Sequence, residues 1–292
     1  TTEVFLKKNT IDFLIIGAGK SGTTSLFRYL STHPDIFMPG EKELSFFTRD
    51  EYYTRGLDWC LKEWFSGAGS SQILGEASPQ YMTYSVAPFR IRETLPRVKL
   101  IAILRNPIDR AFSHYRHLTR AGREMMTFSE CVDRRLALGS IEERAIETNR
   151  GWHSEYIADG EYGRILSAYF ECFSRDQLKC LFFEDLERRP HEIVAKLYRW
   201  LNVDSKFVPS NLGKTFNAGG RLRFPRMTGL GDRLFEWGAQ RPAIKRSLDF
   251  VGLRRPLRRA WISFSTTLAV DGECAASMAA DIRQCLAQHY AS

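Results

Sequence analysis

The clearest chemical signal lies in the run Gly17-Ala18-Gly19-Lys20-Ser21-Gly22-Thr23-Thr24, which follows the apolar stretch Phe13-Leu14-Ile15-Ile16. A strand that breaks at glycine, turns, and opens into a helix (here Ser25-Leu26-Phe27-Arg28-Tyr29-Leu30) gathers backbone N–H groups at the helix N-terminus. Such a turn binds phosphate-like anions. Lys20 adds a full positive charge to it.

Two nucleotide readings fail on particular residues. Gly17-x-Gly19-x-x-Gly22 matches the dinucleotide fingerprint, which also needs an acid closing a second strand about 20 residues on. The chain there runs Asp35-Ile36-Phe37-Met38-Pro39-Gly40, with no such acid. A Walker A loop places Lys directly after its last Gly, whereas Lys20 precedes Gly22 by two residues. A metal-dependent phosphotransferase also needs an acid at a strand end for Mg²⁺. The apolar run Leu100-Ile101-Ala102-Ile103-Leu104 ends instead in Arg105, which repels a metal and attracts a second phosphate.

Lys-x-Gly-Thr-Thr after an apolar strand resembles the 5′-phosphosulfate loop of the sulfotransferases that use 3′-phosphoadenosine 5′-phosphosulfate (PAPS). Lys42-Glu43-Leu44-Ser45-Phe46-Phe47 is similar to that family's Lys-Glu-x-x-Phe-Phe segment. Gly75-Glu76-Ala77-Ser78-Pro79-Gln80-Tyr81 resembles the Glu-x-(Ser/Thr)-Pro-x-Tyr segment of the branch that includes the heparan sulfate enzymes. The run from Leu104-Arg105-Asn106-Pro107 to Ser113-His114-Tyr115 resembles the 3′-phosphate motif. Weaker similarity continues through Gly160-Glu161-Tyr162 and Phe183-Glu184-Asp185-Leu186 to Gly219-Gly220-Arg221-Leu222-Arg223-Phe224-Pro225.

The resemblance implies sulfuryl transfer from PAPS, releasing 3′-phosphoadenosine 5′-phosphate (PAP), with no metal. In-line displacement at so charged a centre is catalysed by positioning and electrostatics. Lys20 is assigned the charge developing on the leaving phosphate oxygen. Ser21, Gly22, Thr23 and Thr24 are assigned the 5′-phosphate, and Arg105 and Ser113 the 3′-phosphate. Glu76 is the candidate general base, since the apolar Ile73 and Leu74 before it favour burial and a raised pKa. Simple pairing of Glu76 with Lys20 or Lys42 is the competing reading. Lys42 is placed, by resemblance, near the sulfonate and acceptor. His114 competes with Glu76 because the enzymes acting on phenols and steroids use a histidine base. Arg221 or Arg223 would close over the nucleotide; the family pattern Gly-Arg-x-x-Pro is displaced here by one residue, so either arginine fits.

The elements that must position these groups alternate. Apolar runs at 13–16, 73–75, 100–104 and 178–183 lack polar alternation, as parallel strands covered on both faces do. Helical patterns follow Pro107 (Ile108, Phe112, Tyr115, Thr119) and cover 156–173 and 192–201, and a last one covers 278–290. The expectation is an α/β fold: a P-loop-like parallel sheet of four to five strands with helices on both faces. Gly17, Glu76 and Arg105 each follow a proposed strand, so all three converge on the carboxyl edge, where such sheets bind ligands. One domain is expected over 1–292, with a core at 10–205 and a cofactor-covering loop plus peripheral helices at 206–292.

Bulk properties agree with an enzyme of a polyanionic donor: 292 residues, 43% hydrophobic, 26% charged, net charge +8. No apolar run approaches the roughly 18 residues of a membrane span, and Thr-Thr-Glu-Val shows no leader pattern. The cysteines Cys60, Cys131, Cys172, Cys180, Cys274 and Cys285 lack metal or redox spacing and read mostly as buried small hydrophobes. The heparan sulfate enzymes' disulfide before the late Gly-Arg segment has no counterpart between Cys180 and Cys274, which points to a cytoplasmic, bacterial-type enzyme. The basic run Arg241, Lys245, Arg246, Arg254, Arg255, Arg258, Arg259 reads as a solvated face or as a docking strip for an anionic acceptor or membrane surface. No aromatic RNA-binding motif accompanies it. The acceptor is expected to be a hydroxyl, less readily an amine, on a saccharide, glycolipid or specialised metabolite. A P-loop kinase and a non-catalytic nucleotide-binding module are the alternatives.

Overall fold

The computed structural model describes residues 10–120, 123–124, 126–137, 156–214, 216, 221–222, 266–267 and 280–291. They belong to two compact units, one of residues 1–110 and 158–216, the other of 111–157 and 217–292.

In the first unit β1 (Phe13–Gly17) is central. It leads through the glycine loop into α1 (Thr23–Leu30), then β2 (Ile36–Phe37), the short α2 (Asp50–Tyr53), α3 (Gly56–Trp64) and β3 (Ile73–Ala77). A 3-10 turn (Pro79–Met82), α4 (Ala87–Thr94) and β4 (Lys99–Leu104) follow, and α5 (Pro107–Arg120) runs on into the second unit. Within the second unit lies α6 (Phe128–Ala137). The first unit resumes with a 3-10 turn (Ala158–Gly160), α7 (Tyr162–Cys172), β5 (Leu178–Phe182), α8 (Phe183–Arg188) and α9 (Pro190–Leu201). The second unit also holds the antiparallel pair β6 (Arg221–Leu222) and β7 (Thr266–Thr267), and α10 (Ala280–Ala291).

The main sheet has order β2-β3-β1-β4-β5, and every pairing in it is parallel. Alternation of side chains along β1 sends Phe13 and Ile15 to one face and Leu14 and Ile16 to the other. Phe13, Ile15, Ile101, Ile103 and Leu181 pack with Leu26, Phe27 and Leu30 of α1 and Ile193, Val194, Leu197 and Leu201 of α9. Leu14, Ile16, Leu74, Leu100 and Ala102 pack with Cys60 and Leu61 of α3, Ile91 of α4 and Ile165, Leu166 and Tyr169 of α7. Burial on both faces is why β1 and β4 read as apolar runs.

Two local features set the register. Asp12 ties the amino ends of three strands together: its N–H donates to the Leu74 carbonyl (2.9 Å), its carboxylate accepts the Leu74 N–H (2.7 Å), and its carbonyl accepts the Lys99 N–H (3.0 Å). Gly75 faces the Phe13 ring so closely that a Cβ there would sit 2.0 Å from Phe13 Cζ. Only glycine leaves room for that ring.

Several boundaries differ from expectation. Gly17 and Glu76 are the last and penultimate residues of β1 and β3 rather than the residues after them; Arg105 does follow β4 directly. β2 has only two residues, too short for a periodic signal. The helix expected over 156–173 begins at Tyr162, after the 3-10 turn, and Phe170 is on its exposed side. Of the described cysteines, Cys60 and Cys131 are buried but Cys180 and Cys285 are exposed. Cys180 lies on the edge strand β5, on the same parity as the exposed Phe182. Cys274, Arg223 and the 241–259 basic run lie outside the described residues.

Candidate active site

The carboxyl end of β1 is a topological switch point: its neighbours β3 and β4 lie on opposite sides, and the segments after all three strands meet there. After β1, Lys20 takes a left-handed backbone (φ 68), and Gly22 (φ 85) caps α1. No acidic residue occupies the first turn of α1, so nothing in that turn offsets the positive field of the helix N-terminus.

The Lys42–Ser45 segment crosses this end of the sheet from the β3 side. The Lys42 ammonium donates to Thr23 Oγ1 and Thr24 Oγ1, both at 3.2 Å, and pairs with Glu43 Oε1 at 3.0 Å. The Glu43 N–H donates to the Ala77 carbonyl at 2.9 Å, and the Leu44 N–H to Glu76 Oε1 at 3.2 Å. Lys42 is three-quarters or more shielded, whereas the Glu43 side chain is 53% exposed.

Glu76 is 2% exposed and has the same parity as Leu74, so its carboxyl points to the face that holds Cys60. Burial raises its pKa to about 7; hydrogen bonds from Ser78 and Leu44, the neighbouring Tyr81 hydroxyl and the Lys42 charge oppose that rise without cancelling it. Tyr81 lies beside the carboxylate without forming a hydrogen bond of full geometry. In turn, burial first and the Glu76 charge second push the Cys60 thiol up, which makes it a poor nucleophile.

After β4, the Arg105 guanidinium donates to the Lys20 carbonyl at 3.2 Å and stacks 4.8 Å above the Phe183 ring. The same ring fills the space next to Gly22, where a Cβ would approach Phe183 Cδ2 to 2.8 Å. The Asn106 N–H donates to Glu184 Oε1 at 3.1 Å. One corner, Phe183-Glu184, therefore props both the glycine loop and the start of the Arg105 segment. Arg110, 1% exposed, is anchored by Asp159 at 3.7 Å.

The structure brings together Lys20, Gly22, Thr23, Thr24, Lys42, Glu76 and Arg105. Ser21 departs from its assignment. It is fully buried, its N–H is used by the Ala18 carbonyl (3.3 Å), and its hydroxyl lies beside Tyr162 rather than in the cradle. Ser113 and His114 lie on the part of α5 in the second unit, where the His114 ring packs edge-on against Tyr156 at 5.2 Å. Arg221 is in β6, paired with Thr267. Glu43, which the structure pairs with Lys42, was given no role from the sequence. Its signal was the motif itself, together with a backbone (φ 68) that few non-glycine residues adopt. Phe183, Glu184 and Tyr162 were given no role from the sequence, although the weaker family similarity runs through them.

The donor set is cationic and N–H-rich, and both nearby carboxylates are engaged, Glu43 by Lys42 and Glu76 by Leu44 and Ser78. That arrangement suits an anionic donor with phosphate and sulfonate groups. Among the described residues, no group of His, Cys, Asp and Glu side chains is placed to hold a metal ion, and no helix is long and apolar enough to cross a membrane.

A parallel α/β sheet with an anion cradle at its switch point and an arginine after the neighbouring strand defines a P-loop-like transferase fold. The sulfotransferase domain model matches residues 10–216, and the chain belongs to the sulfotransferase family, whose members use PAPS. It is 32% identical over 222 residues to the mouse bifunctional heparan sulfate N-deacetylase/N-sulfotransferase 1, a match covering 70% of this chain and 24% of that protein. The Caenorhabditis elegans protein of the same name is 27% identical over 201 residues, covering 68% and 22%. The chain thus spans about a quarter of these relatives' length. A crystal structure of a sulfotransferase from Alicyclobacillus acidocaldarius aligns with TM-score 0.57 and 31% identity, covering 82% of this chain and 95% of that one.

Proposed function

We propose that this sulfotransferase moves the sulfuryl group of PAPS to a hydroxyl of a saccharide. The observation that carries this reading is the Lys42 bridge: a shielded ammonium hydrogen-bonded to Thr23 and Thr24 in the first turn of α1, with the Glu43 carboxylate paired to it. When bound, PAPS supplies the sulfuryl group and keeps the electrons of the broken sulfur–oxygen bond on its phosphate. Lys20 and Lys42 neutralise charge as it shifts toward that phosphate oxygen. Gly22, Thr23 and Thr24 hold the 5′-phosphate, and Arg105 with Ser113 holds the 3′-phosphate, supported by Phe183 beneath the guanidinium.

A carboxylate takes the acceptor's proton. Two are available, and each has an observation in its favour. Glu43 is half exposed and ion-paired to Lys42, so an acceptor arriving from solvent meets it directly. Glu76, the expected base, has a pKa of about 7, but its Oε2 is buried, so an acceptor reaches it only if the Lys42–Ser45 segment moves. Reach is decisive for proton transfer, and we assign the base to Glu43 first and Glu76 second. His114 is a further candidate.

Names of the relatives favour a second acceptor reading, an amine of a saccharide, since they are N-sulfotransferases. Incubation of the protein with PAPS and paired oligosaccharides, one with free and one with acetylated amines, tests both. Sulfation of the two alike supports the hydroxyl; sulfation of the free amine alone selects the amine. Transfer to neither, with ATP consumed in a parallel incubation that supplies ATP and Mg²⁺ in place of PAPS, would return the kinase alternative. PAP binding without any turnover would make the chain a non-catalytic nucleotide-binding module.

A further inference from the structure

Beneath the Lys42-Glu43 corner lies a largely buried polar chain whose members Ser45, Ser78 and Gln80 the catalytic scheme does not use. Ser78 is fully buried; its hydroxyl donates to Glu76 Oε1 and accepts the Ser45 N–H at 3.1 Å. The Ser45 hydroxyl donates to the Glu43 carbonyl at 3.1 Å and accepts from Gln80 Nε2. Each hydroxyl has a single hydrogen and spends it once, so the chain is satisfied in one sense only.

These bonds converge on a strained turn. Glu43 and Ser45 have φ 68 and 61, a left-handed conformation that β-carbon-bearing residues keep only where their surroundings enforce it. Residues 76–80 supply that enforcement from outside the turn: the Ala77 carbonyl to Glu43, Glu76 to Leu44, and Ser78 and Gln80 to Ser45. Relaxation of φ at Glu43 would swing the neighbouring Lys42 away from Thr23 and Thr24.

We propose that Ser78 and Gln80 are positioning residues for sulfuryl transfer. Through Ser45 they hold the turn left-handed, and the turn sets the Lys42 ammonium on the threonine hydroxyls with the Glu43 carboxylate beside it. This rests on the roles given above to Lys42 and Glu43.

The test counts PAP-binding sites by calorimetry and then measures turnover per site with PAPS and the accepted saccharide. Ser78→Ala should lower turnover per site about tenfold while PAP affinity stays within about twofold, and Ser78→Thr should recover most of the loss. Gln80→Leu, at a partly buried position, should lower turnover per site about threefold. A merely structural role would reduce the number of PAP sites and leave turnover per site unchanged, and that result in both variants overturns the proposal. If Ser78→Ala yields no PAP-binding protein, Gln80→Leu decides alone. Wild-type protein that binds PAP but transfers nothing counts against the proposed function only. Crystal structures then decide: Glu43 and Ser45 at negative φ in Ser78→Ala, with Lys42 off the threonines, upholds the inference, and an unchanged turn refutes it.

Discussion

The Lys42 ammonium stands 3.2 Å from the Thr24 hydroxyl, so a residue that approaches from the β3 side closes the cradle opened by β1 and α1. The contact makes the first turn of α1 and the Lys42–Ser45 segment one functional unit, although 18 residues separate the two partners.

Loss of that ammonium should affect turnover more than nucleotide binding. Lys42→Met is expected to lower kcat about 100-fold, the scale for removing one preorganised charge from a transition state. PAP affinity should fall by less than about tenfold, because Arg105 and the α1 N-terminus remain. Steady-state kinetics beside PAP calorimetry checks the split. An equal loss in both would make Lys42 an ordinary binding residue.

Arg105 should be read through discrimination between nucleotides. With the guanidinium over Phe183 and aimed from the end of β4, Arg105→Ala should cut the preference for PAP over adenosine 5′-phosphate about 30-fold or more, as expected for a charge-assisted pair. Competitive binding of the two nucleotides measures this directly. A preserved preference would remove Arg105 from the 3′-phosphate site.

Glu76 gives the stability of the protein a pH dependence whose sign follows from its raised pKa. The folded state binds this proton more tightly than the unfolded chain (about 7 against 4.5 for an ordinary glutamate), so the contribution is fully present below about 4.5 and is lost as pH rises through 7. The difference corresponds to about 3 kcal/mol. Urea unfolding at pH 5 and pH 8 should show wild type losing that amount relative to Glu76→Gln. Parallel curves for the two proteins would place the carboxyl in a more hydrated setting than the structure does.

The two candidate bases separate in the same variants. Glu43→Gln should depress kcat by about 100-fold or more with PAP binding intact, while Glu76→Gln, which keeps an acceptor for the Leu44 N–H, should cost about tenfold. The reverse order would assign the proton to Glu76.

Glycine positions offer a steric check on the Phe183 corner. Gly22→Ala meets both a left-handed backbone (φ 85) and the Phe183 ring at 2.8 Å, and PAP binding should weaken about tenfold. Adding Phe183→Leu should return part of the affinity, since it relieves the contact but not the backbone. No recovery at all would mean the ring is not what constrains the loop.

The strands at 13–16, 73–75 and 100–104 were legible because burial on both faces leaves runs with few polar interruptions, and the run at 178–183 was legible from its apolar composition although the edge strand there exposes Cys180 and Phe182. The loop was legible because its lysine and threonines keep a fixed spacing along the chain. β2 was not, being two residues long, and neither was the start of α7, where a 3-10 turn carries the same apolar pattern as a helix. Ser21 looked like a ligand by its place in the loop, but the side-chain direction that buries it depends on the fold around it.

By itself, then, the sequence determined the fold class, the place of the glycine loop after β1 and the arginine after β4, because each depends on residues close together along the chain. Tertiary structure alone decided which carboxylate faces solvent and which is buried at a pKa near 7, and that a strained turn is held from residues 76–80. Exposure, desolvation and strain are properties of what packs around a residue, and the packing partners of Glu43 and Glu76 come from segments more than 30 residues apart.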